Sequence, residues 1–195
     1  MADLLVLWDV DYTLVSADGL GTRLYEAVFR EMFGRELNVV APMAGRTDRA
    51  IAGDTLALAA AGVRQSVLTG NLRPLAELKL RRAGLGDDLD LDAGAYGDVH
   101  EVRSELVAVA RRAARRAYGV GFPGAATVLV GDTPLDVEAA LATGARVVAV
   151  ATGSYPASEL AAAGASLVLP DLTDSARVVA AVTGPGPAGA AGRAR

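Results

Sequence analysis

The chain has 195 residues, 52% of them apolar and 22% charged, with a formal net charge of −4. That length suits one domain with an ample core, and the acidic balance argues against nucleic acid as a partner. There is no cysteine and His100 is the single histidine, which excludes disulfides, thiolate zinc sites, cysteine nucleophiles and histidine-cluster metal sites.

No basic segment followed by a long apolar stretch opens the sequence. No apolar run reaches the roughly 20 residues that span a bilayer. The expectation is a soluble cytoplasmic protein without a membrane partner. Neither a G-x-S-x-G elbow nor a Walker-type loop occurs. Arg111, Arg112, Arg115 and Arg116 have the spacing of a solvated helix face.

Taken in order, Leu4–Trp8 is an unbroken apolar run, which predicts a strand buried on both faces of a parallel sheet. It stops at Asp9, Asp11 and Thr13. Carboxylates two residues apart repel unless a cation lies between them, and ligands of open α/β sheets bind beyond the carboxyl ends of the strands. Carboxylate oxygens are hard donors of the kind Mg²⁺ prefers. Leu20–Phe33 has helical spacing and Gly34 closes it; residues 35–46 read as irregular around Pro42 and Gly45. Thr47 is a candidate N-cap for a helix reaching about Ala61.

Val63–Leu68 predicts a short strand that ends in Thr69-Gly70-Asn71, followed by a helix over Pro74–Ala83. Leu89–Leu91 reads as a brief third strand. A helix follows from His100 or Ser104 to Tyr118, and then a strand over Thr127–Val130 ending in Gly131-Asp132-Thr133-Pro134-Leu135-Asp136. Beyond it come a helix to Thr143, a strand over Arg146–Ala151, a helix over Ala157–Ala163, a strand over Ser166–Leu169 and a helix over Asp174–Val182. The Gly/Pro/Ala-rich residues 183–195 read as a frayed tail. Alternating strands and helices with short loops predict an α/β, doubly wound parallel sheet. Asp9, Thr69 and Asp132 each follow a strand, so a parallel sheet would bring all three out at one edge.

These motifs, Asp-Val-Asp-Tyr-Thr at 9–13, Thr-Gly-Asn at 69–71 and Gly-Asp-Thr-Pro-Leu-Asp at 131–136, resemble those of the haloacid dehalogenase-like (HAD) hydrolase superfamily. Within it, the phosphoglycolate-phosphatase-like branch is the most similar. The resemblance covers roughly residues 3–33 and 63–172 and implies a HAD-like Rossmannoid core. It also implies a role for each matching residue. Asp9 would be the nucleophile that carries an aspartyl-phosphate, and Asp11 the acid and base. Asp9, the Asp11 backbone carbonyl and Asp132 would hold Mg²⁺, with Asp136 as a further ligand or support. Thr69, with amides near Gly70 and Asn71, would bind the phosphoryl group. An acid at the second position favours phosphate ester hydrolysis over dehalogenation.

The family also needs a cation paired with nucleophile and phosphate. Lys79, the single lysine among 19 basic residues, is the first choice, because a compact ammonium is not interchangeable with a planar guanidinium. Arg103, near the start of the helix before the Asp132 strand, is the alternative.

Only 59 residues lie between Asp9 and Thr69. Residues 1–16 and 47–182 are therefore assigned to the core, and 17–46 to a reduced helical cap. Arg46 and Asp48 sit where capped relatives read their substrates. The expected function is a Mg²⁺-dependent phosphatase acting on a small phosphorylated metabolite, with a homodimer that covers the site left open. The alternative is a catalytically weak HAD-like domain that binds a ligand or partner.

Overall fold

The computed structural model describes residues 3–15, 58 and 62–185. The helix expected over Leu20–Phe33, that over Thr47–Ala61 apart from the buried, helical Leu58, the cap at 17–46, Arg46 and Asp48 lie outside the described residues, as does the tail beyond residue 185.

Among the described residues, five strands form one sheet: β1 (Leu5–Trp8), β2 (Arg64–Val67), β3 (Thr127–Gly131), β4 (Arg146–Val150) and β5 (Val168–Leu169). All pairs are parallel and the spatial order is β2-β1-β3-β4-β5. The helices are α1 (Arg73–Arg82), α2 (Arg103–Tyr118), α3 (Pro134–Ala142), α4 (Ala157–Ala162) and α5 (Ser175–Thr183). This is the doubly wound α/β sheet that the sequence predicts.

The apolar strands read as continuous runs because each has helices on both sides. Val6, Trp8, Val128, Val130, Val148 and Val150 face α1 and α5, where Ala76, Leu80, Val178 and Val182 close the layer. The alternate residues Leu5, Leu7, Leu129, Val147 and Ala149 face α2, α3 and α4 through Leu106, Val107, Ala110, Val137, Ala140 and Leu160. Fully burying one such Val or Leu contributes about 1.5–3 kcal/mol, so β1, buried at all four positions, is a principal anchor of both layers.

Three details differ from expectation. Leu89–Leu91 is not a strand. The Asp90 side chain accepts from the Asp92 and Ala93 amides and winds Leu91–Ala93 into a 3₁₀ turn, and a bridge to Leu68 comes instead at Ala95. Arg111 is only partly solvated: it donates to Thr127 Oγ1 and to the carbonyls of Thr143 and Gly124, tying together loops below the sheet. His100 serves α2, its Nδ1 accepting from the Val102 amide.

The order β2-β1-β3 makes the chain step to one side of β1 and then to the other. A crevice opens at such a switch point, beyond the carboxyl ends of the strands. Asp9 follows β1 and Asp132 follows β3, one on each side of it.

Candidate active site

Each site residue is delivered by the end of a buried element. The Asp9 amide donates to Val130 O at 2.8 Å, which continues the β1–β3 ladder by one residue and holds Asp9 beside the Asp132 strand. The chain then turns sharply. The Leu14 and Val15 amides both donate to Val10 O, and Tyr12 adopts a left-handed φ of 57°, rare for a bulky side chain. This turn aims Asp11 and Thr13 in different directions.

Thr13 donates through Oγ1 to Asp132 Oδ1 at 3.1 Å. Asp136 is positioned by a capping box at the start of α3: its Oδ2 accepts from the Thr133 amide and hydroxyl, while Thr133 Oγ1 accepts from the Asp136 amide. Asp9, Asp132 and Asp136 are all buried and each offers an oxygen within 4.8 Å of the others. Three hard oxygen donors converging out of water suit a small divalent cation such as Mg²⁺.

The steric frame of this cluster is tight. A Cβ on Gly153 would stand 1.9 Å from Asp132 Oδ2, and one on Gly131 would stand 2.3 Å from the Asp136 carboxyl carbon. Both carboxylates occupy space that any other residue at these positions would fill. Gly153 carries no signal in its own neighbourhood of sequence and was not among the expected site residues.

Arg103, on the first turn of α2, reaches across the crevice. Its Nη2 lies 2.6 Å from Asp9 Oδ1 and 2.5 Å from Asp136 Oδ1. The cation seated on Asp9 is thus Arg103, where the sequence reading preferred Lys79. Lys79, buried on α1, lies one carboxylate away: Nζ is 2.6 Å from Asp11 Oδ1 and 3.0 Å from Asn71 Oδ1. Asn71 Nδ2 in turn donates to Asp11 Oδ2 at 2.6 Å and to Thr69 Oγ1 at 2.8 Å. Lys79 and Asn71 together hold Asp11 toward Thr69.

Thr69 Oγ1 also accepts from the Asn71 amide at 3.2 Å. A hydroxyl has two acceptor positions and one donor. With both acceptors taken by Asn71, the Thr69 O–H is left to donate. A crevice of about 280 Å³ runs over these groups, lined by Asp9, Asp11, Thr69, Asn71, Arg103 and Asp132. The structure therefore brings together every described residue of the expected set.

Burial is the largest influence on Asp9; with the Asp136, Asp132 and Asp11 charges it holds this carboxyl well above the ordinary range, against the opposing pull of Arg103. Burial and then the Asp136 charge push Asp132 up from 3.8 to about 6. Burial lowers the Arg103 guanidinium, but Asp9 and Asp136 more than offset it and raise it above its usual range.

These shifts set a pH dependence for the metal-free protein. A carboxyl raised on folding binds its proton more tightly in the folded state, so its contribution to stability is complete below pH 3.8 and is lost as pH rises through about 6. For Asp132 this is on the order of 3 kcal/mol. Urea unfolding in chelator is expected to show this loss between about pH 3.8 and pH 6, with little further change above that, and the loss should shrink in Asp132→Asn. Equal pH dependence in parent and variant would contradict it.

Residues 103–175 match the family model described as HAD-hydrolase-like, a segment that contains Arg103, Asp132 and Asp136. Among solved structures, a predicted phosphatase from Clostridium acetobutylicum is similar at 16% identity and TM-score 0.66, over 92% of this chain and 99% of that one. A HAD family hydrolase from Deinococcus radiodurans R1, solved with bound phosphate and sodium, is similar at 21% identity and TM-score 0.60, over 93% and 97%. The fold is HAD-like. A structural-genomics target that also shares this HAD-like fold is longer: 80% of this chain matches 50% of it, at 16% identity and TM-score 0.61. No curated protein matches this chain. Among the described residues, no helix is long and apolar enough to cross a membrane.

Proposed function

We propose that this chain is a Mg²⁺-dependent phosphatase that hydrolyses small phosphate monoesters through an aspartyl-phosphate on Asp9. One observation carries the reading: the buried Asp9–Asp132–Asp136 cluster reaches, through Asp9 and Asp132, the same crevice that Thr69 lines. Phosphoryl transfer asks a protein mainly for positioned charge, and this crevice offers carboxylates on one side and donors on the other.

In this reading Asp9 attacks phosphorus and Thr69 donates to a phosphoryl oxygen as charge shifts toward the leaving group. Arg103, already on Asp9, keeps the nucleophile aligned and offsets the charge of the incoming ester. Asp11, held beside Thr69 by Asn71 and Lys79, hands a proton to the leaving alcohol and later takes one from the water that cleaves the aspartyl-phosphate. Mg²⁺, held by Asp9, Asp132 and Asp136 with the Asp11 backbone carbonyl, would supply positive charge against the phosphoryl oxygens.

The test is turnover of a generic phosphate ester across a Mg²⁺ titration, for the parent and for Asp132→Asn. The parent is expected to lose activity in chelator. The variant should need a higher Mg²⁺ concentration, because a neutral amide is a poorer ligand for a hard dication. Metal-independent turnover in the parent would overturn the metal role, and superimposable titrations would remove Asp132 from it.

A further inference from the structure

The Thr69-Gly70-Asn71 loop is not held by its own strand alone. Residues 94–97 run beside it as a strap at the open edge of β2. The Ala95 amide donates to Val67 O at 2.9 Å, the Thr69 amide to Ala95 O at 3.1 Å, and the Gly97 amide to Asn71 O at 2.9 Å. The strap is itself anchored. Tyr96 is buried, its hydroxyl donates to Leu91 O at 2.6 Å, and the Arg73 guanidinium lies over its ring at 5.4 Å.

Where strap and loop meet, both backbones are glycine. A Cβ built on Gly97 would lie 2.0 Å from Gly70 O, 2.7 Å from Gly70 C and 3.2 Å from Gly70 Cα. These are main-chain atoms, so no rotamer change relieves the overlap; the backbones of loop and strap must part. Gly94, on the same strap, differs. A Cβ there would meet the Val67 Cγ2, Ser66 Oγ and Tyr96 hydroxyl atoms, all at side-chain ends.

We propose that Gly97 is a positioning residue for the phosphoryl-binding loop: its missing side chain lets the strap press on the Gly70 carbonyl and fix Thr69 and Asn71. The inference rests on the reading of residues 69–71 as the phosphoryl site. Displacement on the order of 1 Å at a positioning group costs roughly a hundredfold in rate. A methyl group on Gly97 imposes a shift of that size on the loop, while the Asp9–Asp132–Asp136 cluster, on other strand ends, is not touched.

The experiment measures inorganic phosphate binding by calorimetry, in Mg²⁺, for the full chain and for Gly97→Ala and Gly94→Ala, with Mg²⁺ binding and thermal melting followed in parallel. Gly97→Ala is expected to bind phosphate at least about tenfold more weakly with its Mg²⁺ affinity unchanged. Gly94→Ala is expected to retain phosphate affinity even where its melting temperature falls. Amide exchange on the parent covers the case in which Gly97→Ala does not fold: phosphate should slow exchange at the Gly97 amide and leave the Gly119 amide on its helix cap unaffected. Parent-like phosphate affinity in Gly97→Ala, equal losses of phosphate affinity in both variants, or a Gly97 amide indifferent to phosphate would each overturn the role of Gly97 while leaving the phosphoryl-site reading intact. A parent that does not bind phosphate would overturn both.

Discussion

Asp9→Asn is expected to lower phosphatase turnover by roughly 10⁴-fold or more while the folded chain persists. The substitution keeps the shape of the side chain and removes the nucleophilic oxygen. Its structural consequence should be small, because two effects oppose one another. The Asp9 charge is buried among the Asp132 and Asp136 carboxylates, so removing it relieves repulsion; it also pairs with Arg103, so removing it costs an ion pair. Circular dichroism and urea unfolding, run beside the turnover assay, separate lost chemistry from lost fold. A purified Asp9→Asn protein with metal-dependent turnover within about tenfold of the parent would exclude Asp9 as the nucleophile.

Arg103→Met is expected to act on both activity and stability. It leaves Asp9 and Asp136 buried beside Asp132 without the guanidinium that bridges them. Removing one partner of a buried pair costs more than the pair contributes, on the order of 3 kcal/mol or above, because the remaining charge is stranded. In chelator the variant should therefore unfold at much lower urea than the parent. Mg²⁺ should recover a large part of the loss, since a dication on the same carboxylates restores the charge balance. Lys79→Met should cost less stability, because its partner Asp11 keeps about 30% of its side chain in water. An Arg103→Met protein as stable in chelator as the parent would contradict the assignment of Arg103 as the cluster's resident counter-charge.

Both variants bear on what could be read before the fold was known. Asp9, Asp11, Thr69 and Asp132 were legible because each follows an apolar run, and a parallel sheet puts every strand end on one edge. The strand order was not legible: β1 borders β3 rather than only β2, a neighbour more than a hundred residues away whose apolar pattern is like that of any other strand. Which of Lys79 and Arg103 pairs with Asp9 was not legible for a related reason. Composition made Lys79 distinctive, but contact with Asp9 depends on where the first turn of α2 lies over the crevice. Leu89–Leu91 had the residues of a strand, and the cap supplied by Asp90 overrode them. Gly97 and Gly153 were the least legible, since their value is an absent Cβ opposite residues 27 and 21 positions away, a relation that no local pattern encodes.

The place of β1 between β2 and β3 has a consequence for how the chain acquires its shape. Leu5 pairs with Arg64 on one side and Thr127 on the other, so this interior strand is made before both of its neighbours and the second is available only much later. Long-range parallel pairing of this kind is slow, because loop-closure entropy is spent before contacts reward it. Until β3 arrives, Leu4–Trp8 is an apolar segment with an open edge, the sort of stretch that associates with copies of itself. Asp3 and Asp9 bracket it. Charges at the flanks of an unavoidable apolar strand oppose such association, so Asp9 guards the nascent chain before it faces the crevice of the finished one.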